Sequence, residues 1–456
     1  MTEAKKELVV IGGGPGGYVA ALKAAQLGAK VALVEKENLG GTCLNWGCIP
    51  TKVLTKTAEL LHHIKQADSM GITVSAPELN LKAVQTRKEE VIETLKGGVG
   101  ELLAARGVEY IEGEASLEKK GQVKITTAEG KTLIKETGKI IIATGSSPME
   151  LPGMECDGKL ILDSRDALEI DTVPKSVLIV GGGVIGLEFA GIYAAFGAKV
   201  TLVEMLPDLL PFIDTDVVTA LNQELSAMNI TIHTSTKVSK LEKAKSKVKV
   251  YLETPEGDQQ LEAAKVLIAA GRRANTEIGE KLGLVKDGVI AVNEQLETKI
   301  KGIYAIGDAI GGYQLAHAAY AEAHVAAENA MGAAKSVSYK AVPQAIFTYP
   351  EVSGVGLTEQ EARKKHETVK IGLYPFAANG KAMAANETKG FVKLIATEPH
   401  DEIVGAFMIG PTATELIHEI TLAINLEATL EEIAETIHAH PTLSEVTYEA
   451  ALTGLS

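Results

Sequence analysis

Two cysteines lie close together in a segment that also contains helix-breaking residues. Cys43 and Cys48 are five positions apart in GGTCLNWGCIPTK, residues 40–52. A regular helix would place them about 140° apart, at 100° per residue, so a bond between the sulfurs needs a distorted helix. Gly47 and Pro50 allow an irregular entry into a helix. The spacing alone is compatible with two ordinary buried thiols or with a redox-active pair.

The cysteine count argues against two other uses of this pair. The chain has 3 cysteines in 456 residues, the third being Cys156. A secreted disulfide framework uses more cysteines in a shorter chain. A structural zinc site needs four ligands, and no Cys or His lies near the pair in sequence to complete one. We therefore expect no metal, and we assign no role to Cys156.

Two similar glycine-rich segments indicate an internal duplication. GGGPGG at 12–17 and GGGVIG at 181–186 each follow a short apolar run and precede a helical pattern. Each pattern ends in a Val-rich strand with an acid 18 positions after the last glycine, Glu35 and Glu204. One such segment is weak evidence, because glycines collect in turns. Two segments with the same acid offset predict two dinucleotide-binding sites.

Each glycine of the fingerprint has a physical task. The first makes the tight turn, the second lets a pyrophosphate approach the backbone, and the third lets helix and strand pack closely. The helix N-terminus then faces the phosphates, and the acid accepts hydrogen bonds from a ribose. The glycines are Gly12, Gly14 and Gly17 in the first fingerprint and Gly181, Gly183 and Gly186 in the second.

The second acid also predicts which nicotinamide is bound. A carboxylate at Glu204 would repel a 2′-phosphate, and residues 205–211 (MLPDLLP) provide no Arg or Lys to hold one. We therefore expect NAD(H) rather than NADP(H).

Composition and charge narrow the class of protein. The length predicts about three domains at roughly 150 residues each. A formal net charge of -14 argues against nucleic-acid binding, which needs a basic face. Glycines and a proline interrupt the apolar start at 12–17, which is untypical of a signal peptide. The apolar run 177–198 contains three consecutive glycines and Glu188, so it divides into strand, turn and helix instead of crossing a membrane. We expect a cytoplasmic protein.

From about residue 337 the pattern changes. Runs at 345–347, 369–373, 391–396 and 402–409 predict antiparallel strands, and amphipathic helices are expected at about 412–426 and 429–438. This predicts a separate α+β domain that binds no nucleotide.

Three motifs, in order along the chain, resemble one known family. GGTCLNWGCIPTK resembles the active-site disulfide of the flavin-dependent pyridine nucleotide–disulfide oxidoreductases. IYAIGD at 303–308 resembles their second flavin-binding motif, and IHAHPTLSE at 437–445 resembles their catalytic acid–base segment. Within that family, CLNWGCIP, GLEFA at 187–191 and HAHPTLSE look most like the dihydrolipoyl dehydrogenases.

The resemblance implies which residues bind the nucleotides. Asp308 would bond the ribityl chain of FAD, and the segment 315–317 would approach its pyrimidine end. Lys52 would lie near the flavin N5, paired with Glu188. The FAD residues implied are Gly12, Gly14, Gly17, Glu35, Gly41, Thr42, Lys52, Ala115, Thr144, Gly145, Asp308 and Ala316. The NAD residues implied are Gly181, Gly183, Gly186, Glu204, Val238 and Gly271.

The resemblance also implies the catalytic residues. Cys48 would face the flavin as a thiolate, and Cys43 would exchange with substrate. His440 would be the acid–base, because a proton must move as a thiolate forms. Glu445 would orient its imidazole. His438 is the competing histidine, and the motif selects His440.

The resemblance further implies a fold and partners. The fold is α/β, with two Rossmann-like domains and a C-terminal α+β dimerisation domain. The expected boundaries are 1–144 with 272–336 for FAD, 145–271 for NAD, and 337–456 for the interface. A homodimer would oxidise dihydrolipoyl groups carried by a lipoylated acyltransferase or by the glycine cleavage H protein, and the histidine of one subunit would serve the disulfide of the other.

Related activities remain as alternatives. A glutathione-type reductase generally uses NADPH, mercuric reductases and larger thioredoxin reductases carry an extra C-terminal redox centre, and smaller thioredoxin reductases place the cysteine pair in the NAD domain. An NADH-dependent disulfide reductase or diaphorase with another acceptor, and a protein that acts chiefly as a docking subunit, stay open.

Overall fold

The computed structural model describes residues 7–456. Residues 7–149 alternate strands and helices and then form a β-meander. The strands are β1 (Glu7–Ile11), β2 (Lys30–Glu35), β3 (Glu109–Lys119), β4 (Gln122–Thr127), β5 (Thr132–Glu136), β6 (Lys139–Ile142) and β7 (Ser146–Pro148). The helices are α1 (Pro15–Gln26), α2 (Gly41–Trp46), α3 (Cys48–Lys65) and α4 (Leu81–Ala105), with a 3₁₀ turn at Ala67–Met70.

Residues 150–337 contain a second set of alternating elements and then short strands. The strands are β8 (Ile161–Leu162), β9 (Ser176–Val180), β10 (Lys199–Val203), β11 (Thr231–His233), β12 (Lys237–Lys243), β13 (Val248–Thr254), β14 (Gly257–Ala263), β15 (Lys265–Ile268), β16 (Arg272–Ala274), β17 (Val285–Lys286), β18 (Val289–Ile290) and β19 (Ile303–Ala305). The helices are α5 (Val184–Ala195), α6 (Thr215–Ala227), α7 (Glu277–Glu280) and α8 (Ala316–Ala330), with 3₁₀ turns at Asp166–Leu168 and Gly307–Ile310.

The C-terminal part is α+β. Its strands are β20 (Gln344–Ile346), β21 (Glu351–Gly356), β22 (Val369–Pro375), β23 (Phe391–Thr397) and β24 (Glu402–Gly410). Its helices are α9 (Glu359–Lys365), α10 (Gly380–Ala385), α11 (Ala413–Asn425), α12 (Leu430–Glu435) and α13 (Glu445–Leu455), with a 3₁₀ turn at Phe376–Ala378.

The chain divides into two compact units. The first comprises Met1–Val53, Lys82–Met149 and Gly271–Val337, and the second comprises Leu54–Leu81, Glu150–Ala270 and Ser338–Ser456. The predicted boundaries of the three domains are not decided by this division and stay a prediction.

The first unit is built on one sheet in the order β19-β6-β1-β2-β3-β4-β5. Its first five strands are parallel, and β3, β4 and β5 form an antiparallel meander. Because side chains alternate along a strand, Leu8 and Val10 pack with the alanines of α1 and α8, whereas Val9 and Ile11 pack on the other face with residues of the meander. Burial on both faces explains why β1 is a continuous apolar run.

The strands that lead out of this unit and back into it pair with each other. β7 and β16 are antiparallel, and the backbone N–H of Met149 donates to Gly271 O at 3.0 Å. The chain therefore leaves the first unit after Met149 and returns to it at Gly271, at neighbouring positions.

The second unit contains the other parallel sheet, in the order β11-β10-β9-β15-β8. Apolar residues of β9, β10 and β15 share a core with the antiparallel sheet β12-β13-β14. A third sheet, in the order β20-β21-β24-β23-β22, is antiparallel throughout and packs with residues of α11, α12 and α13. The predicted fold class, two Rossmann-like parts and an α+β C-terminal part, is confirmed.

The C-terminal predictions differ from the structure in detail. The four expected strands are present within two residues, but the helix expected at 429–438 ends at Glu435. Thr429 and Glu432 form a capping box at its start, and Thr436 is extended, with its Oγ1 bonded to Glu432 O. The helix ends in a tight turn, in which the backbone N–H of Thr436 donates to Ile433 O at 3.2 Å. Among residues 7–456, no helix is long and apolar enough to cross a membrane.

Candidate active site

The first glycine fingerprint makes a turn that only small residues fit. Gly12 follows β1 at φ 104°, and a Cβ there would lie 2.2 Å from Ala143 O. A Cβ on Gly17 would lie 1.8 Å from Gly12 O. These two glycines therefore perform the turn and the close packing of helix on strand that the sequence predicts.

The carboxylate of Glu35 is held beside this turn. Its oxygens accept hydrogen bonds from the backbone N–H of Gly13 at 2.5 Å and of Glu37 at 2.8 Å. Glu35 is the last residue of β2, which lies parallel to β1. The acid is thus oriented at the carboxyl ends of the strands, where a dinucleotide ribose would lie.

The second fingerprint repeats these contacts atom for atom. Gly181 has φ 114°, and its Cβ would lie 2.4 Å from Ala269 O. A Cβ on Gly186 would lie 2.0 Å from Gly181 O. The carboxylate of Glu204 accepts from the backbone N–H of Gly182 at 2.6 Å and of Leu206 at 2.7 Å. The duplication read from sequence is therefore also a duplication of hydrogen bonds.

Both turns have room for a pyrophosphate. A Cβ on Gly183 would meet no atom within 4 Å, and one on Gly14 would meet only Gly41 Cα, at 3.8 Å. Gly14 and Gly183 are the N-caps of α1 and α5, and neither helix has a side-chain cap. The first backbone N–H groups of each helix are thus available to an anion, so the residues present fit one dinucleotide at each turn.

The two cysteines lie on consecutive helices. Cys43 is in α2 and Cys48 begins α3, with Gly47 between them at φ -141° and ψ -110°. A Cβ on Gly47 would lie 2.8 Å from Thr42 O, so the break requires a glycine. The break removes the 140° separation of a regular helix and brings the sulfurs together.

Both cysteines are thiols here and share a hydrogen bond. This bond to Cys48, followed by burial, raises the pKa of the Cys43 thiol, while the nearby ammonium of Lys52 acts in the opposite direction. Because the two thiols interact this closely, their protons are lost in steps that belong to the pair and not to either sulfur alone. Cys43 is half-buried and Cys48 is exposed.

Asp308 lies in a network that the sequence did not predict. Ser146 Oγ donates to Asp308 Oδ2 at 2.5 Å, and Arg272 Nε donates to Ser146 Oγ at 2.7 Å. A second nitrogen of Arg272 donates to Ser146 O at 2.6 Å. The network fixes the Asp308 carboxylate, but its members come from three distant parts of the chain.

Thr144 and Gly145 are held by another residue that the sequence did not predict, Asn275. Asn275 accepts from Thr144 Oγ1 through its backbone carbonyl at 2.7 Å and donates through its side chain to Thr144 O at 2.9 Å. Its backbone N–H donates to Gly145 O, and its Oδ1 accepts from Ser147. Its partner Thr144 lies 131 positions earlier, so the sequence did not reveal this contact.

The remaining nucleotide residues are spread over several elements. Gly41 and Thr42 begin α2, and Ala316 begins α8. Ala115 lies in β3 opposite Ile125. Val238 lies in β12 with its side chain in the apolar core, and Gly271 lies between β15 and β16 at φ 111°. Their contacts with nucleotides stay predictions.

Lys52 and Glu188 belong to different compact units, and their pairing stays a prediction. Glu188 is 6% exposed, and its carboxylate accepts from the backbone N–H of Phe347 at 3.2 Å.

The two histidines of the C-terminal motif differ sharply. His440 is 79% exposed, with Nδ1 at 2.8 Å from Glu445 Oε1. His438 is 7% exposed, and its two ring nitrogens contact Thr436 O at 2.8 Å and Glu419 Oε1 at 2.9 Å. His440 therefore uses Nδ1 for Glu445 and has an exposed ring, whereas both nitrogens of His438 are occupied. The choice of His440 as the acid–base stays a prediction.

Comparison with known proteins decides the family. Residues 6–323 match the pyridine nucleotide-disulphide oxidoreductase family, and residues 342–451 match its dimerisation domain. The chain belongs to the pyridine nucleotide-disulphide oxidoreductase family. As a member of this family it uses FAD and NAD(H), and its dimerisation domain makes it a homodimer.

Curated relatives of the family match along the whole chain. A dihydrolipoyl dehydrogenase of Bacillus subtilis is 41% identical over 453 residues, covering 98% of each chain. One from Thermus scotoductus is 43% identical, covering 98% of this chain and 96% of its own. The mitochondrial dihydrolipoyl dehydrogenase 2 of Arabidopsis thaliana is 40% identical, covering 98% and 90%.

Solved structures of the family agree. LpdA from Mycobacterium tuberculosis has a TM-score of 0.92 at 27% identity, with 98% of this chain and 99% of that chain covered. The HOCl-induced flavoprotein disulfide reductase RclA from Escherichia coli, as its Cu(II) complex, has a TM-score of 0.88 at 28% identity, with 98% and 99% covered.

Proposed function

We propose that this chain is a dihydrolipoyl dehydrogenase. It would oxidise a protein-bound dihydrolipoyl group to lipoyl: the dithiol loses two electrons and two protons, NAD⁺ gains a hydride, and one proton is released. The observation that carries the proposal is the Cys43–Cys48 pair, which follows the strand that ends in Glu35 of the first dinucleotide fingerprint. Relatives of that name match at about 40% identity from end to end.

Each nucleotide has a site of its own in this proposal. The first turn, with Gly12, Gly14, Gly17 and Glu35, would hold the adenosine diphosphate part of FAD. The equivalent turn of the second unit would hold NAD through the equivalent glycines and Glu204. When bound, FAD would carry electrons from the cysteine dithiol to the nicotinamide of NAD. The chain itself binds and orders these carriers.

The cysteines would take unequal parts. A substrate thiolate attacks the Cys43–Cys48 disulfide at Cys43, so that a mixed disulfide forms and Cys48 leaves as a thiolate. The second substrate thiol then attacks the substrate sulfur of that mixed disulfide and releases Cys43. Cys43 is released as a thiolate and would take up a proton from the second substrate thiol, and the reduced pair would then share the hydrogen bond between its sulfurs.

His440 would move the protons. Its Nε2 would accept a proton from the substrate thiol as the thiolate forms, and Glu445 would keep the other nitrogen protonated and the ring in place. We propose, from the family resemblance, that the His440 of one subunit serves the cysteine pair of the other. The homodimer would then be the active form.

The physiological partner would carry the lipoyl group on another chain. We propose a lipoylated acyltransferase of a 2-oxoacid dehydrogenase complex, or the H protein of the glycine cleavage system. We propose the cytoplasm as the compartment, because a reducing environment keeps such a pair available for turnover. A disulfide reductase with another acceptor, like the function in the name of RclA, is the second candidate. The curated relatives favour the first.

A Cys43→Ser variant tests the proposal. It should retain FAD and keep reducing small artificial electron acceptors with NADH, yet lose dihydrolipoamide-dependent NADH formation. The matched control is Cys156→Ser, which should leave that activity unchanged. Lipoamide turnover that survives Cys43→Ser would show that the dithiol exchange is wrong. Absence of lipoamide turnover in the unmodified holoenzyme, with another disulfide reduced, would favour the second candidate.

A further inference from the structure

Two tyrosine hydroxyls form a hydrogen-bonded pair inside the first unit. Tyr18 Oη and Tyr320 Oη are 2.8 Å apart, and the ring centroids are 6.2 Å apart at an interplanar angle of 63°. Tyr18 lies on α1 and Tyr320 on α8, and both side chains are half-buried. Neither residue has a part in the proposed reaction so far.

The pair lies beside the cysteines. A Cβ on Gly41 would lie 2.6 Å from Gly14 Cα, so the first turns of α2 and α1 touch. Cys43 is two residues beyond Gly41, and Tyr18 is four residues beyond Gly14. Helix α8 completes the arrangement, because a Cβ on Gly16 of α1 would lie 3.5 Å from Ala319 Cβ, next to Tyr320.

Electrostatics connects the hydroxyls to the sulfurs. Burial, then the hydrogen bond to Tyr320, then the charges of Tyr320, Cys43 and Cys48 raise the pKa of Tyr18. Burial raises the pKa of Tyr320, the bond to Tyr18 lowers it, and the two cysteines raise it again, with a net rise. A sulfur anion therefore disfavours a phenolate here, and both phenols keep their protons at working pH.

One hydroxyl hydrogen of the pair has no partner. Two O–H groups share one hydrogen bond, which uses one of their two hydrogens. Among residues 7–456, no other protein group accepts a hydrogen bond from either hydroxyl. The second hydroxyl hydrogen can therefore be donated to an acceptor that forms nearby during turnover. The anion that the proposed reaction creates closest to this donor is a cysteine thiolate.

We propose that the Tyr18–Tyr320 hydroxyl pair donates a hydrogen bond to the thiolate of the reduced Cys43–Cys48 pair and stabilises that thiolate. The ionisable groups facing the sulfurs are then Lys52 from α3, Tyr18 from α1 and Tyr320 from α8. The lysine stabilises the thiolate by charge, and the tyrosines stabilise it as neutral donors. This role rests on the proposed redox use of the cysteine pair, and it makes the two tyrosines positioning residues.

Alkylation of the reduced dithiol tests the role. The FAD-containing dimer of the wild type and of Tyr18→Phe and Tyr320→Phe is reduced with excess NADH without oxygen, and its inactivation by iodoacetamide is followed from pH 4 to 9. Each variant keeps the ring and loses one hydroxyl. We expect the apparent thiol pKa to rise by about one unit in at least one variant, because a bond to a charged group is worth that much. At acidic pH this is roughly tenfold slower alkylation.

The matched control is Tyr193→Phe, which removes a buried hydroxyl bonded to Ala167 O at 3.0 Å in the second unit. Its alkylation profile should match the wild type. A pair that only joins α1 to α8 would lower thermal stability in both phenylalanine variants without moving the profile, and that result would overturn the proposal. The measurement needs no lipoyl substrate. If the pH profile of alkylation shifts but the enzyme does not oxidise dihydrolipoamide, the proposed function is wrong and this inference still holds.

Discussion

His440 and Glu445 are joined by a contact of 2.8 Å between Nδ1 and Oε1, and the other carboxylate oxygen accepts from the backbone N–H of Thr442 at 2.8 Å. A carboxylate only accepts hydrogen bonds, so it keeps the proton on Nδ1 and leaves Nε2 as the base. The Thr442 N–H, followed by His440, lowers the pKa of Glu445 below its usual range. The carboxylate thus stays charged across the pH range in which a histidine titrates.

A His440→Gln variant should keep FAD and bind NADH normally, yet lose lipoamide turnover by about 10²- to 10⁴-fold, the usual contribution of a general acid–base. The control is His400→Gln, which changes an exposed histidine and should leave turnover unchanged. Steady-state kinetics with dihydrolipoamide and NAD⁺ make the measurement. Full activity in His440→Gln would move the role to His438 or to another group.

Nicotinamide choice should depend on Glu204. Its carboxylate is fixed by Gly182 N–H and Leu206 N–H, so it cannot turn away from a 2′-phosphate without losing two hydrogen bonds. We expect kcat/KM for NAD⁺ to exceed that for NADP⁺ by about 100-fold or more, since like charges brought together cost several kcal/mol. Glu204→Ala should narrow that ratio at least about tenfold. Asp208→Asn removes a nearby exposed charge and should not change the ratio. Comparable wild-type turnover with both cofactors would refute the argument.

A substitution in the second glycine turn should weaken NAD binding without affecting FAD binding at the first. Gly186→Ala places a Cβ 2.0 Å from Gly181 O, so NAD binding should weaken by at least about tenfold, or roughly 1.4 kcal/mol, while FAD is retained. Gly191→Ala is the matched control, because it lies in the same helix and its Cβ meets no atom within 4 Å. NADH titration of the purified flavoprotein distinguishes them. Equal NAD affinity in both variants would contradict the steric role of the third glycine.

A buried lysine should hold part of the second unit together. Lys393 is 1% exposed, and its Nζ lies 2.8 Å from Asp214 Oδ1 and 2.6 Å from both Asp216 and Glu359. Lys393→Met would leave Asp214, which is 3% exposed, without its cation, at a cost of about 3–5 kcal/mol in the free energy of unfolding. Lys389→Met removes a half-exposed ion pair with Glu224 and should cost less than about 1 kcal/mol. Equal shifts of the denaturant midpoint in the two variants would contradict the predicted difference in the free energy of unfolding.

The same pair of variants gives a pH prediction. Burial lowers the pKa of Lys393, but its bonds to the three carboxylates outweigh this and raise it; for Glu359, burial acts upward and its bonds to Lys393 and Arg363 lower the pKa overall. The lysine contribution is complete below its unfolded pKa of about 10.4, and the glutamate contribution is complete above about 4.3. The stability gap between wild type and Lys393→Met should be flat between those values. It should narrow as pH falls through the lowered Glu359 pKa.

Local patterns predicted the parts of the site that are local in sequence. Glu35 and Glu204 each bond to a backbone N–H 22 positions earlier, and Gly17 and Gly186 each pack against the glycine five positions earlier. The break at Gly47 was also readable, because glycine and proline have strong backbone preferences.

Contacts between distant segments were not readable. Ser146 and Asp308 are 162 positions apart, and Tyr18 and Tyr320 are 302 apart. A short stretch of sequence around Ser146 gives no sign that its side chain will contact Asp308, because the contact depends on the folding of distant segments. The end of α12 was missed for a related reason, since apolar periodicity continues beyond Glu435 while backbone bonding around Thr436 stops the helix.

The bond between Met149 N–H and Gly271 O has a consequence for how such proteins can change over time. The ends of the intervening segment lie one hydrogen bond apart, so removing or replacing that segment would close only a short connection in the first unit. The first unit thus accommodates residues 150–270 as an insertion, and sequence changes within that segment need not alter the pairing of β7 with β16.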